Sequence, residues 1–506
     1  MTVMTETFQA PRWDLESIFP GGSGSTEFAT FRGETKSELK TLLESVENLP
    51  ATLEKDNHSV WIRAIEQFEN TLEKLKLIGS LGHCFLSADV SDAASQTIIS
   101  EAYVLFAQWG KALILLQAKA LEQTDEAWAE LVESEKLAPI RFYLDEMRQL
   151  GKEKMSPDKE KLLLDLSVDG YHAWSKLYDK MAGDLSVEFE EEGVVKQLSM
   201  GQLALRMSDP DRDVRARAFE SLRTTWRTQE NIATITLNSL AGYRLAMYDN
   251  RGWKSPLHES LNKARLSQAS LDAMWKAVAE QTPKLEKYIA AKKKLLGIDK
   301  FNWYDQFAPC GSSDKKLSFS DAVDFIIEQE GRFAPDMAEF AKMAIEKRWV
   351  EAEDRPGKLG GAFCTGMGPF RQTRVFMTYA NTFENMLTLA HELGHSYHSW
   401  ILKDRRHLAS TYPMTLAETA SIFAETLVTD AALQEATDTD EKIMLLDQKL
   451  QAPYTMFCDI RSRYLFETQF YEERRKGMVE KDRLNELMLE AQAEAYGTLL
   501  DETGRH

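Results

Sequence analysis

Cysteine is scarce in this chain: Cys84, Cys310, Cys364 and Cys458 are the only four, and they lie far apart with no CxxC pairing. That excludes a disulfide framework and a cysteine zinc knuckle, and leaves reduced, mostly buried thiols as the expectation. The apolar stretches read as too short to cross a bilayer, and the start, Met-Thr-Val-Met-Thr-Glu-Thr, has no basic and then apolar leader. A cytoplasmic location without a membrane partner is therefore expected. Basic residues are outnumbered, 61 Lys and Arg against 80 Asp and Glu for a net charge of −19, so a broad nucleic-acid surface is excluded by repulsion. A fixed-period repeat and low-complexity tracts are also missing, which disfavours a helical solenoid.

What is present is helical periodicity over 506 residues, enough for two or more domains and a large core. Helices are predicted at about 26–48, 58–88, 92–122, 126–150 and 157–181, then through 212–249 and at about 267–280, 283–295 and 319–348. Leu185 to Val195 reads as a small hairpin and a candidate domain boundary, giving a helical 1–185 domain and a 186–506 domain that carries the chemistry. Trp303-Tyr304-Asp305 and residues 360–379 are the other expected strands. The fold class is mainly α with a small β-sheet. Lys292-Lys293-Lys294 reads as a solvated helix face, and the eleven tryptophans as core.

Residues 391–395 read His391-Glu392-Leu393-Gly394-His395. On a helix the two histidines stand about 40° apart and one turn along, so both imidazoles reach one divalent ion, with Glu392 beside the open position as a base. Chance alone produces HExxH in roughly one or two such chains per hundred, so the flanks carry weight. Asn381 with Glu384 makes a capping-box start, and Met386, Leu387, Leu389, Ala390 and Leu393 supply an apolar face. Burying three ionisable groups without a metal would cost several kcal/mol. Catalytic zinc takes three protein ligands, and the downstream donors are Asp404, His407, Glu418, Glu425 and Asp430. His398 and Ile401 exclude the metzincin pattern, which needs Gly and His there. Asp404 and His407 share a basic stretch that reads as a solvated helix end. Glu418 ranks first, on a second amphipathic helix where Ser421 and Glu425 share its stripe as hydrogen-bonding support, although Thr415 and Glu418 equally match a capping box. His398 extends the motif as a supporting or substrate-facing residue.

HELGHSYHSW with LAETASIFAE downstream, the run Gly360-Gly361-Ala362-Phe363-Cys364, Arg374 to Tyr379, and the opening Arg12-Trp13-Asp14-Leu15 resemble the oligoendopeptidase F family, related to thimet oligopeptidase and neurolysin. The resemblance covers most of the chain. It implies a zincin-like helical metallopeptidase with its sheet beside a deep cleft, one Zn2+ per chain held by His391, His395 and Glu418, and Glu392 as the base. Oligopeptide substrates, laid along a strand at Gly361, Ala362 and Phe363, are likewise implied. Read from the residues themselves, Tyr397 and Tyr412 are candidate oxyanion donors. In the family a stretch rich in His and Tyr follows Asp-Glu-Thr-Gly, whereas this sequence stops at Asp501-Glu502-Thr503-Gly504-Arg505-His506. The expectation is a chain incomplete at that end, with His506 a candidate first residue of the missing region and metal binding better preserved than turnover. Two rivals follow: a catalytically impaired zinc- and peptide-binding protein, and a helical scaffold in which the motif is accidental.

Overall fold

The computed structural model describes residues 10–312 and 316–501; the leader reading at Met1 to Thr7 and the reading of His506 fall outside them. The described residues form two units. One comprises the chain up to Lys161 together with 316–431, the other 162–312 with 432–501. The boundary expected at 185/186 does not coincide with these limits, because the chain crosses between units more than once and no contiguous cut separates them. Five short strands are present among the described residues: β1 (Ser186–Glu191), β2 (Val194–Ser199), β3 (Val350–Glu351), β4 (Phe363–Met367) and β5 (Gln372–Phe376). All other regular structure is helical.

In the first unit, helices Thr26–Glu47, His58–Ala88 and Ala93–Leu121 follow the predicted ranges closely. Ser25 and Asp92 side chains accept from the first-turn amides of the first and third, which fixes where those helices start. Ala93–Leu121 corrects one expectation, since by length and composition it is apolar enough to cross a membrane, with a mean hydropathy of 1.3; here it packs on its two predecessors. Two predicted long helices are each two. Pro139 sits in a 3-10 turn between Asp125–Val132 and Arg141–Gly151, and Pro335 opens a new helix, Pro335–Glu346, after Phe319–Phe333 ends. Proline lacks the amide that a continuous helix needs at that position and suits a first turn.

The three-stranded sheet has the order β3-β5-β4, with β3 parallel and β4 antiparallel to β5. Val375, Met377, Phe340 and Trp349 form one core with Met386, Leu387, Leu389, Ala390 and Leu393 of the helix Phe383–Leu402. The hydroxyls of Thr373 and Ser396 bond to each other inside this core and fasten that helix to β5.

In the second unit, β1 and β2 form the expected antiparallel hairpin. Trp303–Asp305 is a 3-10 turn rather than a strand, because the buried Asp305 carboxylate caps it and takes Arg212 at 2.8 Å and Arg215 at 3.2 Å. Lys292 is also a correction. Its ammonium is buried and lies 3.0 Å from Asp447, so only part of the lysine run faces solvent.

Candidate metal centre

Helix Phe383–Leu402 starts one residue later than the capping-box reading placed it. Thr382 is the cap, its hydroxyl accepting from the Asn385 amide, while Asn381 adopts a left-handed φ of 61° and Asn385 Oδ1 accepts from the Ala380 amide at 2.6 Å. From this start the apolar positions fall on the sheet side, and His391 and His395 emerge partly exposed with ring centroids 4.9 Å apart.

The next helix, Glu418–Glu435, opens on Glu418 itself. One carboxylate oxygen of Glu418 lies 3.1 Å from His391 Nε2 and 3.2 Å from His395 Nε2. Among the described residues, His391, His395 and Glu418 are the one group of donors close enough to share an ion, all within 4.8 Å of one another. Bonds of about 2.0–2.1 Å at tetrahedral angles put neighbouring zinc ligands roughly 3.3 Å apart, so this donor set fits zinc in chemistry and in spacing. Glu418 remains about half exposed, which leaves the fourth side open.

Supporting contacts follow the stripe read from the sequence. Ser421 donates its hydroxyl to the Glu418 carboxylate at 2.8 Å. Glu425 lies 3.2 Å from His391 Nδ1; a proton held there leaves Nε2 bare for a cation. Glu425 also holds the His391 pKa above its ordinary value, whereas burial lowers that of His395.

Glu392 is buried, and one of its carboxylate oxygens has no hydrogen-bond partner. Burial pushes its pKa up to about 7, with Glu418 adding to the rise and His391 opposing it. A cation held by the adjacent donors would lower it again and make the group a proton acceptor near neutral pH.

The remaining predicted residues separate. His398 stacks on Tyr412 with ring centroids 4.5 Å apart. Tyr397 turns away, donating its hydroxyl to Asp336 at 2.6 Å with its ring against Phe340. Gly361, at a φ of 92°, and Ala362 lead into β4, one of the sheet's two edge strands, and the Phe363 ring stacks on Phe376. Asp404 pairs with Arg371 at 2.8 Å, and Arg406 is bonded to Glu69, so the basic stretch after the helix is not simply solvated.

The role of Gly394 was not read from the sequence. A Cβ there would stand 2.7 Å from the Ala420 carbonyl and 2.8 Å from the Ser421 Cα, so glycine is what lets the two ligand helices approach. A glycine inside an otherwise strong helix, costing about 1 kcal/mol against alanine, was the available signal.

Two histidines one turn apart, an acid between them and a further acid from an adjoining helix make up the donor pattern of a metallopeptidase. Residues 205–506, more than half of the chain, match the peptidase family M3 model, and residues 121–186 match that of oligopeptidase F; the chain belongs to peptidase family M3. It is 26% identical over 454 residues to an oligoendopeptidase F homolog of Lactococcus lactis, covering 87% of this chain and 72% of that protein. It is 24% identical over 450 residues to the oligopeptidase PepF of Bacillus subtilis, covering 87% of this chain and 65% of the relative. The crystal structure of oligoendopeptidase-F from Enterococcus faecium shares the fold with a TM-score of 0.68 at 20% identity, over 94% of this chain and 80% of that one.

Proposed function

We propose that this chain is a zinc-dependent endopeptidase acting on oligopeptides, with His391, His395 and Glu418 as the ligands of a single ion and Glu392 as the general base. The observation that carries the reading is the single Glu418 oxygen within 3.2 Å of both Nε2 atoms. Zinc bound there would supply Lewis acidity and a lowered pKa for an attacking water. The protein's own part is proton traffic and positioning. Glu392, buried and short of a partner, takes a proton from the water and returns it to the departing amine. Glu425 and Ser421 hold His391 and Glu418 in place.

The edge position of β4 supports a peptide lying extended, since an exposed edge binds main chain and tolerates varied side chains. The cytoplasmic location and the lack of nucleic-acid and membrane partners belong to the same proposal, supported by the four free cysteines and the net charge of −19.

Glu392→Gln should keep stoichiometric zinc by elemental analysis while cleavage of an internally quenched peptide drops by about 10²–10⁴. His391→Ala and Glu418→Ala should lose the ion. Undiminished turnover in Glu392→Gln rejects the base assignment, and full zinc content in both ligand variants rejects the ligand set.

A further inference from the structure

The second unit, which carries none of the metal-centre residues, has a cavity of its own of about 770 Å³. That volume suits a small organic ligand. Helices Ala173–Asp184, Glu230–Arg251, Arg461–Arg474 and Lys481–Tyr496 contribute to its walls, which are largely aromatic: Tyr171, Tyr178, Trp303, Phe466, Phe470 and Tyr471. Ala241, Ser462 and Phe470 are at most 3% exposed, whereas Tyr178 is 46% and Leu237 39% exposed. A core closed on itself would hide all of these, so the cavity has a buried floor and an open mouth.

The backbone around it is unusual. The described residues contain two π-helical turns, Val168–His172 and Thr455–Ile460, and each gives this cavity a wall residue, Tyr171 from the first and Asp459 from the second. Such turns are rare in α-helices and recur at functional sites. The Ser462 hydroxyl donates to the Asp459 carbonyl at 2.8 Å, which ties the second turn to the helix that follows it.

Four charged side chains line the cavity, and three of them are compensated. Arg244 donates to the Tyr248 hydroxyl at 2.9 Å and lies 3.3 Å from Glu259, with its guanidinium 5.6 Å from the ring centres of both Tyr248 and Tyr471. Asp459 and Arg463 pair at 2.9 Å. Glu467 has neither an ion pair nor a hydrogen bond among the described residues. The uncompensated charge is therefore negative, and it stands among aromatic faces in a chain of net charge −19. Ring quadrupole, carboxylate and net charge all favour a cation over an anion. Phe466 and Phe470, nearly parallel with centroids 5.9 Å apart, add apolar surface for the rest of such a ligand.

We propose that this cavity binds a small organic cation, an ammonium or guanidinium group on an apolar body, with Glu467 as its counterion and the aromatic walls around it. The side chain of a basic residue in a peptide and a free amine offer the same chemistry. The proposal goes beyond the peptidase reading and does not depend on it.

Calorimetric titration of the full chain with phenethylamine, 3-phenylpropionamide and 3-phenylpropionate compares one body carrying a positive, a neutral and a negative head. The amine should bind about fivefold to twentyfold more tightly than the amide, and the acid more weakly than either. Glu467→Gln should bring the amine-to-amide ratio below about threefold, while Glu467→Asp keeps it. Tyr178→Leu, at the exposed mouth, should weaken the amine more than the amide. No measurable binding of the amine, equal binding of amine and amide by the parent, or a ratio untouched by both Glu467→Gln and Tyr178→Leu overturns the proposal. Stronger binding of Nα-acetyl-lysine amide than of butylamine would assign the cation to a peptide side chain, and the reverse to a free amine; either outcome supports a cation site.

Discussion

Two imidazoles four positions apart on one helix are chemically identical in the sequence and different in the fold. His391 has Glu425 on its Nδ1 at 3.2 Å, and its pKa rises; His395 is governed by burial, and its pKa falls. The carboxylate orients the first ring and makes it the stronger base of the two. Glu425→Ala should therefore weaken zinc binding by about tenfold to a hundredfold in chelator competition, with little loss of thermal stability; unchanged affinity would show that the ring needs no such orientation. This much was legible beforehand because Glu418, Ser421 and Glu425 follow helical spacing, and a pattern along one helix translates into a stripe. The placement of Tyr397 was not legible, for the opposite reason. Its hydroxyl partner, Asp336, lies 61 residues away on another helix, and no local spacing signals that contact.

The ligand set depends on how closely helices Phe383–Leu402 and Glu418–Glu435 approach, and Gly394 sets that separation. Its missing side chain faces the Ala420 carbonyl and the Cα of Ser421, backbone atoms that cannot rotate aside. Gly394→Ala raises helix propensity yet must push the helices apart, costing about 1–3 kcal/mol of stability by overpacking. Glu418 then leaves the reach of both rings, so zinc affinity and turnover should fall together; a variant of unchanged stability and zinc content would refute the close-approach argument. Element positions were readable wherever caps and apolar periodicity agree, as at His58–Ala88. They failed where a proline lay inside a continuous pattern, at Pro139 and Pro335, and where a buried ion pair overrode local preference, at Trp303–Asp305. In that last case Arg212 and Arg215 come from about 90 residues away, a distance at which periodicity carries no information.

At the scale of the molecule, acidic excess and burial meet at Glu330. This residue is 2% exposed on helix Phe319–Phe333, and burial pushes its pKa up to about 8. The folded state therefore retains a proton that the unfolded chain releases above its ordinary value of 4.5. Protons bound by the native but not the unfolded state make stability fall as pH rises, so the contribution of Glu330 is flat below 4.5, declines between 4.5 and about 8, and levels off above that. Glutamine has the shape of the protonated acid and nothing to ionise. Glu330→Gln should match the parent at pH 4.5 and exceed it above pH 8, by a gap on the order of 3–5 kcal/mol at the full shift. Other titrating groups are common to both proteins and cancel in the difference, which denaturant unfolding at the two pH values would measure. A gap independent of pH would mean that the carboxyl is solvated or paired in the native state, and that the interior of this unit is less dry than its packing indicates.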